Sequence, residues 1–180
     1  MNSEITGVPC SGKSSIIYHL PAPPFNKSDY NSIIVIIKGF LYLGPKRLFF
    51  FLISSFREEA TFSYRLRIFF NIIKKFGFFH IAKKNKSYFI FDEGVSHIPF
   101  NLLSTDTNTI LDSIELELSQ IYVYLLRSCD AIELRRRYEE RGHPRLNYTK
   151  ISDFVHRNAL VEMVLIEKYP KLCYKFEVRD

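Results

Sequence analysis

The stretch Gly7-Val8-Pro9-Cys10-Ser11-Gly12-Lys13-Ser14 places two glycines, a lysine and a hydroxyl at the spacing G-x-x-x-x-G-K-[ST]. Gly7 and Gly12 permit backbone conformations that turn successive N–H groups onto phosphate oxygens. Lys13 brings a positive charge to the β- and γ-phosphates. Ser14 offers a hydroxyl to Mg²⁺ at the start of a helix whose dipole favours anions. Gly7, Val8, Pro9, Cys10, Ser11, Gly12, Lys13, Ser14 and Ser15 are thus the expected nucleotide-phosphate site, with Lys13 also catalytic.

Two further groups could complete a phosphoryl-transfer centre. Phe89-Ile90-Phe91-Asp92-Glu93-Gly94 is a short apolar run ending in two acids. At the tip of a parallel strand, one carboxylate can hold Mg²⁺ while its neighbour accepts a proton from an attacking hydroxyl. Either acid suits either duty; Asp92 joins Ser14 as the expected metal contact. The run Arg135-Arg136-Arg137-Tyr138-Glu139-Glu140-Arg141-Gly142 sets Arg137 and Arg141 four apart, on one helix face. Such a pair can neutralise charge spreading over a transferred phosphoryl group. It equally suits a charged surface helix in which Arg136 pairs with Glu140.

These groups need elements to hold them. A helix is expected from Lys13 to Leu20, closed by Pro21-Ala22-Pro23-Pro24. Ile33 to Ile37 reads as a buried strand or as part of an apolar helix. Gly44-Pro45 is a break, with a helix from Pro45 to Phe56. Thr61 to Phe76 has apolar residues near the 3.6 period, with Gly77 as its stop. Strands are expected at Ser87–Asp92, Ile121–Leu126 and Cys173–Val178, and helices at Asp106–Leu118, from Asp130 to Arg141, and at Ile151–Tyr169. Alternating strands and helices predict a three-layer α/β fold with helices on both faces of the sheet. Ahead of the phosphate loop only Ile5 and Met1 are apolar, so the first strand is very short or the natural start lies upstream.

In this order the three motifs resemble the nucleotide-kinase-like branch of phosphate-loop proteins, related to thymidylate, adenylate and deoxynucleoside kinases. The resemblance implies a parallel sheet of about five strands in the order 2-3-1-4-5, or a reduced strand set. It implies Mg-ATP as donor and an acceptor site between the first helix and the strand ending in Asp92. Residues 1–180 would form one domain, with a helical acceptor-site insertion over 30–86 and a lid over 130–150 holding Arg137 and Arg141. The helices from Ile33 to Phe76 depart from the nucleotide-acceptor motifs of thymidylate and adenylate kinases, and a sugar or glycolipid acceptor is conceivable by analogy.

Bulk properties bound the rest. The 180 residues carry 47% hydrophobic and 24% charged side chains, as in a globular domain. Cys10, Cys129 and Cys173 are odd in number and widely spaced, which fits a reducing cytoplasm. MNSEITG lacks the basic start and apolar run of a secretory signal. Leu48–Ile53 falls well short of the about 20 apolar residues a membrane span needs. From Lys38 to Lys86 eleven basic residues face two acids, whereas Tyr88–Leu126 holds six acids and no Lys or Arg. That asymmetry suits an anionic partner handled near a metal. The expectation is an ATP-dependent small-molecule kinase with a nucleoside, nucleotide or sugar-type acceptor. A nucleotide-binding switch, docking a partner or membrane surface through basic aromatic helices, is the alternative. Those helices also suit a homodimer; no nucleic-acid signature is present.

Overall fold

Strand β1 (Asn2–Gly7) has Ile5 as its single aliphatic side chain, yet it runs through the middle of the sheet. It can do so because its buried polar groups are paired. Glu4 accepts from the backbone N–H groups of Val95 and Ser96, and Thr6 hydrogen-bonds His97. Buried polar groups cost little once satisfied, so a strand thin in apolar residues still holds an interior place.

The computed structural model describes residues 2–7, 13, 17, 23–84, 89–126, 131–142, 150–170 and 173–176. Strands β2 (Ile90–Asp92), β3 (Ile121–Leu126) and β4 (Cys173–Phe176) join β1 in a parallel sheet of order β2-β1-β3-β4. The α/β class is therefore as expected, but among the described residues the sheet has four strands and not five. Ile33–Ile37, one candidate for a further strand, is helical. Beyond β2 the chain makes one parallel bridge, Pro24 to Ile90, flanked by Phe25 N–H donating to Ile90 O (2.8 Å) and Ile90 N–H to Pro23 O (3.1 Å). Pro23 O and Phe25 N–H are the groups that face β2; Pro23 has no N–H with which to continue the ladder, and Pro24, turned away from β2, offers none to the open side.

Register and alternation divide the sheet. Glu4 lies beside Phe91 and Val123, and Ile5 beside Asp92 and Tyr124, so each set shares a face. Val123, with Ile121 and Leu125, enters the main core. On the opposite face Ile5 and Ile90 meet Ile17, with Tyr124 against them. Of the helix expected over Lys13–Leu20, only Lys13 and Ile17 are described.

Helices α1 (Ser32–Phe56) and α2 (Phe62–Lys84) form the basic aromatic segment. Asn31 caps α1, its side chain accepting from Ile33 N–H at 2.8 Å. Gly44, at φ 69° and ψ 168°, breaks α1 just before Pro45, as expected. Gly77 is not the stop that the sequence suggested; α2 runs through it. A Cβ on Gly77 would lie 2.1 Å from Val35 O, and one on Gly39 would lie 2.1 Å from Ile73 O. The two glycines let antiparallel helices touch along their backbones, and that packing overrides the cost of about 1 kcal/mol of a mid-helix glycine. Nearby, the Arg47 guanidinium holds the buried Glu117 carboxylate through two bonds of 2.9 and 2.8 Å while lying over the Phe76 ring.

A tight turn at Val95–His97 leads into α3 (Ile98–Asn101). The single helix expected over Asp106–Leu118 is two, α4 (Thr107–Ser113) and α5 (Glu115–Leu118), divided at Ile114, with Asp106 capping the first. Helix α6 (Ala131–Arg141) ends at Gly142, whose φ of 58° supplies the left-handed stop. Helix α7 (Ile151–Lys168) closes before Pro170. Leu134, Tyr138, Phe154 and Leu165 pack into the same core as β3. Among the described residues, no helix is long and apolar enough to cross a membrane.

Candidate functional site

The C-terminal tips of β1 and β2 bring the motifs together. Glu93 N–H donates to Ile5 O at 3.1 Å, and Glu93 itself has a φ of 55°, a conformation that side chains other than glycine rarely adopt. Gly94 follows where no side chain fits: a Cβ there would lie 2.1 Å from Oε1 of Glu4. The Glu4 carboxylate then accepts from Val95 N–H at 2.9 Å and Ser96 N–H at 2.7 Å. A buried acid on the central strand thus pins the turn that presents Glu93. Burial pushes Glu4 above the usual carboxylate range, against the pull of those donors.

Lys13, 5% exposed, reaches across to this turn. Its Nζ lies 3.2 Å from Oε1 of Glu93 and donates to Gly7 O at 3.2 Å. On the other side of Glu93, His97 Nε2 is 3.6 Å from the same carboxylate oxygen, and His97 Nδ1 is 3.3 Å from Thr6 Oγ1. Two more lysines grip the acidic pair by its backbone: Lys75 donates to Glu93 O, and Lys27 to Asp92 O at 2.5 Å.

The charges settle as follows. Burial would raise Glu93, but the positive charges of His97, Lys13 and Lys75 outweigh it and hold this carboxylate well below its ordinary range. His97 is itself driven well below the histidine range by burial, despite Glu93 beside it. Burial lowers Lys75 to about 8. Asp92 moves the other way, raised by burial and then by the Glu93 charge. Its Oδ1 is buried and has no hydrogen-bond partner among the described residues.

Beside Glu93 opens a cavity of about 480 Å³. Its lining combines Lys27, Lys74 and Lys75 with the carboxylates of Glu4 and Glu93, the amides of Asn71 and Asn101, the hydroxyls of Ser28 and Ser32, and the rings of Phe78, Phe79 and Phe91. Three lysines against two acids, over an aromatic wall, suit a small molecule that carries both negative charge and hydroxyls.

Of the residues singled out from sequence, Gly7, Lys13, Asp92 and Glu93 therefore converge. A Cβ on Gly7, at φ 139°, would lie 2.5 Å from Leu126 O, so this position admits only glycine without a shift. Val8, Pro9, Cys10, Ser11, Gly12, Ser14 and Ser15 lie outside the described residues, as does Asp130. Arg137 Nε donates to Glu133 at 2.7 Å within α6, and Arg137 does not line the cavity. Arg136 bridges Glu133 and Glu140, the surface-helix pairing that the sequence also allowed. The side chain of Arg141 is not described. Glu4, Thr6, Lys27, Lys75 and His97 were not singled out from sequence. The one local signal was His97, four residues beyond Glu93; the others are brought in by tertiary contact.

Among the described residues no three His, Cys, Asp or Glu side chains cluster as a metal site. Asp92, with its unpartnered oxygen, fits a single protein contact to a cation whose other ligands are phosphate and water. Comparison with models of protein families, with curated proteins and with solved structures finds no match to this chain.

Proposed function

We propose that this protein is a phosphotransferase that moves the γ-phosphoryl group of Mg-ATP to a small anionic acceptor held in the cavity beside Glu93. The observation that carries the reading is the meeting of Lys13, from the phosphate-loop motif, with Glu93 at the rim of a lysine-lined cavity. The strand order supports it: the order 2-3-1-4-5 without its strand 2 is the order β2-β1-β3-β4 found here. On this reading the chain is one kinase-like domain, α1 and α2 form the acceptor-site insertion, and α6 belongs to the lid with Arg137 and Arg141.

Each residue has a duty that its surroundings suit. Lys13 moves its positive charge between Glu93 and the outer phosphates. Asp92 and Ser14 would be the protein contacts of the Mg²⁺ that arrives with ATP, and the ion would supply charge neutralisation for the transferred phosphoryl group. A cation beside Asp92 would restore the ionised form that burial disfavours. Glu93 faces the cavity and stays ionised, so it accepts a hydrogen bond from the acceptor hydroxyl and aligns that oxygen for in-line attack. The hydroxyl proton passes to Glu93 as the new P–O bond forms and the γ-phosphorus bond to ADP breaks. Lys74 and Lys75 meet the acceptor's own negative charge.

The test is an ATP-consumption screen across nucleosides, nucleotides, sugars and sugar phosphates, with Lys13→Ala as the blank. Transfer to one acceptor class, absent from the blank, supports the reading. Acceptor-independent hydrolysis, or transfer undiminished in Lys13→Ala, overturns it.

A further inference from the structure

The first half of α1 is apolar on both sides. Val35, Gly39 and Leu43 face the protein, while Ile33, Ile34, Ile37 and Leu41 are 67%, 52%, 52% and 79% exposed. At 100° per residue those four share the face opposite the buried row, forming a stripe about 12 Å long. A helix apolar all round is normally covered on all sides, and exposed stripes of this kind mark an interaction surface.

Charge indicates the cover. Lys38 borders the stripe, and the exposed Lys83 and Lys84 end the antiparallel α2. All three crowd His80, which is held below the ordinary histidine range first by burial and then by Lys84, Lys38 and Lys83. An anionic surface meets both features at once. Aliphatic side chains enter the acyl boundary, and ammonium groups lie at headgroup level.

We propose that the N-terminal half of α1 docks on an anionic lipid bilayer, with Ile33, Ile34, Ile37 and Leu41 inserted and Lys38, Lys83 and Lys84 on the headgroups. The proposal stands independently of the phosphotransferase reading.

The experiment is co-sedimentation with phosphatidylcholine vesicles, with and without phosphatidylserine, across a salt series. The wild type is expected to pellet with the phosphatidylserine vesicles only, and binding should weaken at high salt. The exposed double variant Ile37→Ser/Leu41→Ser should lose at least ten-fold in partitioning while its circular dichroism matches wild type. Lys83→Glu/Lys84→Glu should do the same. No pelleting with anionic vesicles overturns the proposal, as does pelleting unchanged in both variants. A concentration-dependent dimer that dissociates in Ile37→Ser/Leu41→Ser, without vesicle binding, overturns it in favour of self-association.

Discussion

Lys13 Nζ and Glu93 Oε1 lie 3.2 Å apart, joining the phosphate-loop lysine to the acid that follows β2. The contact links the donor and acceptor halves of the proposed site through one ion pair. On the proposed reading Glu93 has two tasks, holding Lys13 and aligning the acceptor, whereas Asp92 faces the side of the sheet that carries Ile5 and Ile17.

That division separates two variants. Glu93→Gln should lower kcat roughly 10²–10⁴-fold with an unchanged Mg²⁺ requirement. Asp92→Asn should shift the Mg²⁺ concentration for half-maximal activity upward and lower kcat at saturating metal less. Magnesium titrations of both variants decide it; a Mg²⁺ shift confined to Glu93→Gln would reverse the assignment.

Lys75 sets a pH limit. Its folded value of about 8 lies below the ordinary 10.5, so the cavity loses a positive charge as pH rises through about 8. Acceptor KM should climb over that interval while ATP binding changes little. Lys75→Arg should remove the climb, because arginine stays charged. Stability has the opposite sign. Between about 8 and 10.5 the unfolded chain holds a proton that the native state has released, so this group makes the native state more stable as pH rises.

Gly94→Ala drives a methyl into the Glu4 carboxylate, to within 2.1 Å of Oε1 unless the turn moves. The turn that presents Glu93 must shift, so kcat should fall at least about ten-fold. A loss of about 1–3 kcal/mol in stability should accompany it. Urea unfolding and steady-state rates measure the two effects; a variant with full activity would show that Glu4 does not position the turn.

Three glycines of the helical pair should respond differently. Gly39→Ala and Gly77→Ala each place a Cβ 2.1 Å from a carbonyl oxygen of the facing helix, and each should cost about 1–3 kcal/mol. Gly44→Ala meets open space and bears only the strain of a positive-φ extended backbone that glycine alone adopts readily, about 1–3 kcal/mol. Thermal melts of Ala and Leu variants separate the causes: the larger side chain should deepen the loss at Gly39 and Gly77 and add little at Gly44.

Local signals placed much of this architecture. The bounds of β3 over Ile121–Leu126, the break at Gly44-Pro45 and the helix stop at Gly142 come from short-range chemistry, and each lies where expected. The failures share a different cause. β1 spans six residues where its few apolar side chains predict a very short strand, because the partners of Glu4 and Thr6 lie in the turn at Val95–His97, far along the chain. Gly77 resembled a stop because its neighbour Val35 belongs to another helix. Lys27 and Lys75 reach Asp92 and Glu93 only after the chain has folded, and nothing in their own neighbourhoods announces it.

The proline bridge at Pro24 has a consequence for how the molecule behaves in a crowd. An open parallel sheet offers its outermost strand as a template for foreign strands, the route to aggregation. Along β2 that position is taken by the segment holding Pro24, which is turned away from β2 and has no N–H to offer an incoming strand. On that side, the short edge is a guard against unwanted pairing as well as the end of the sheet.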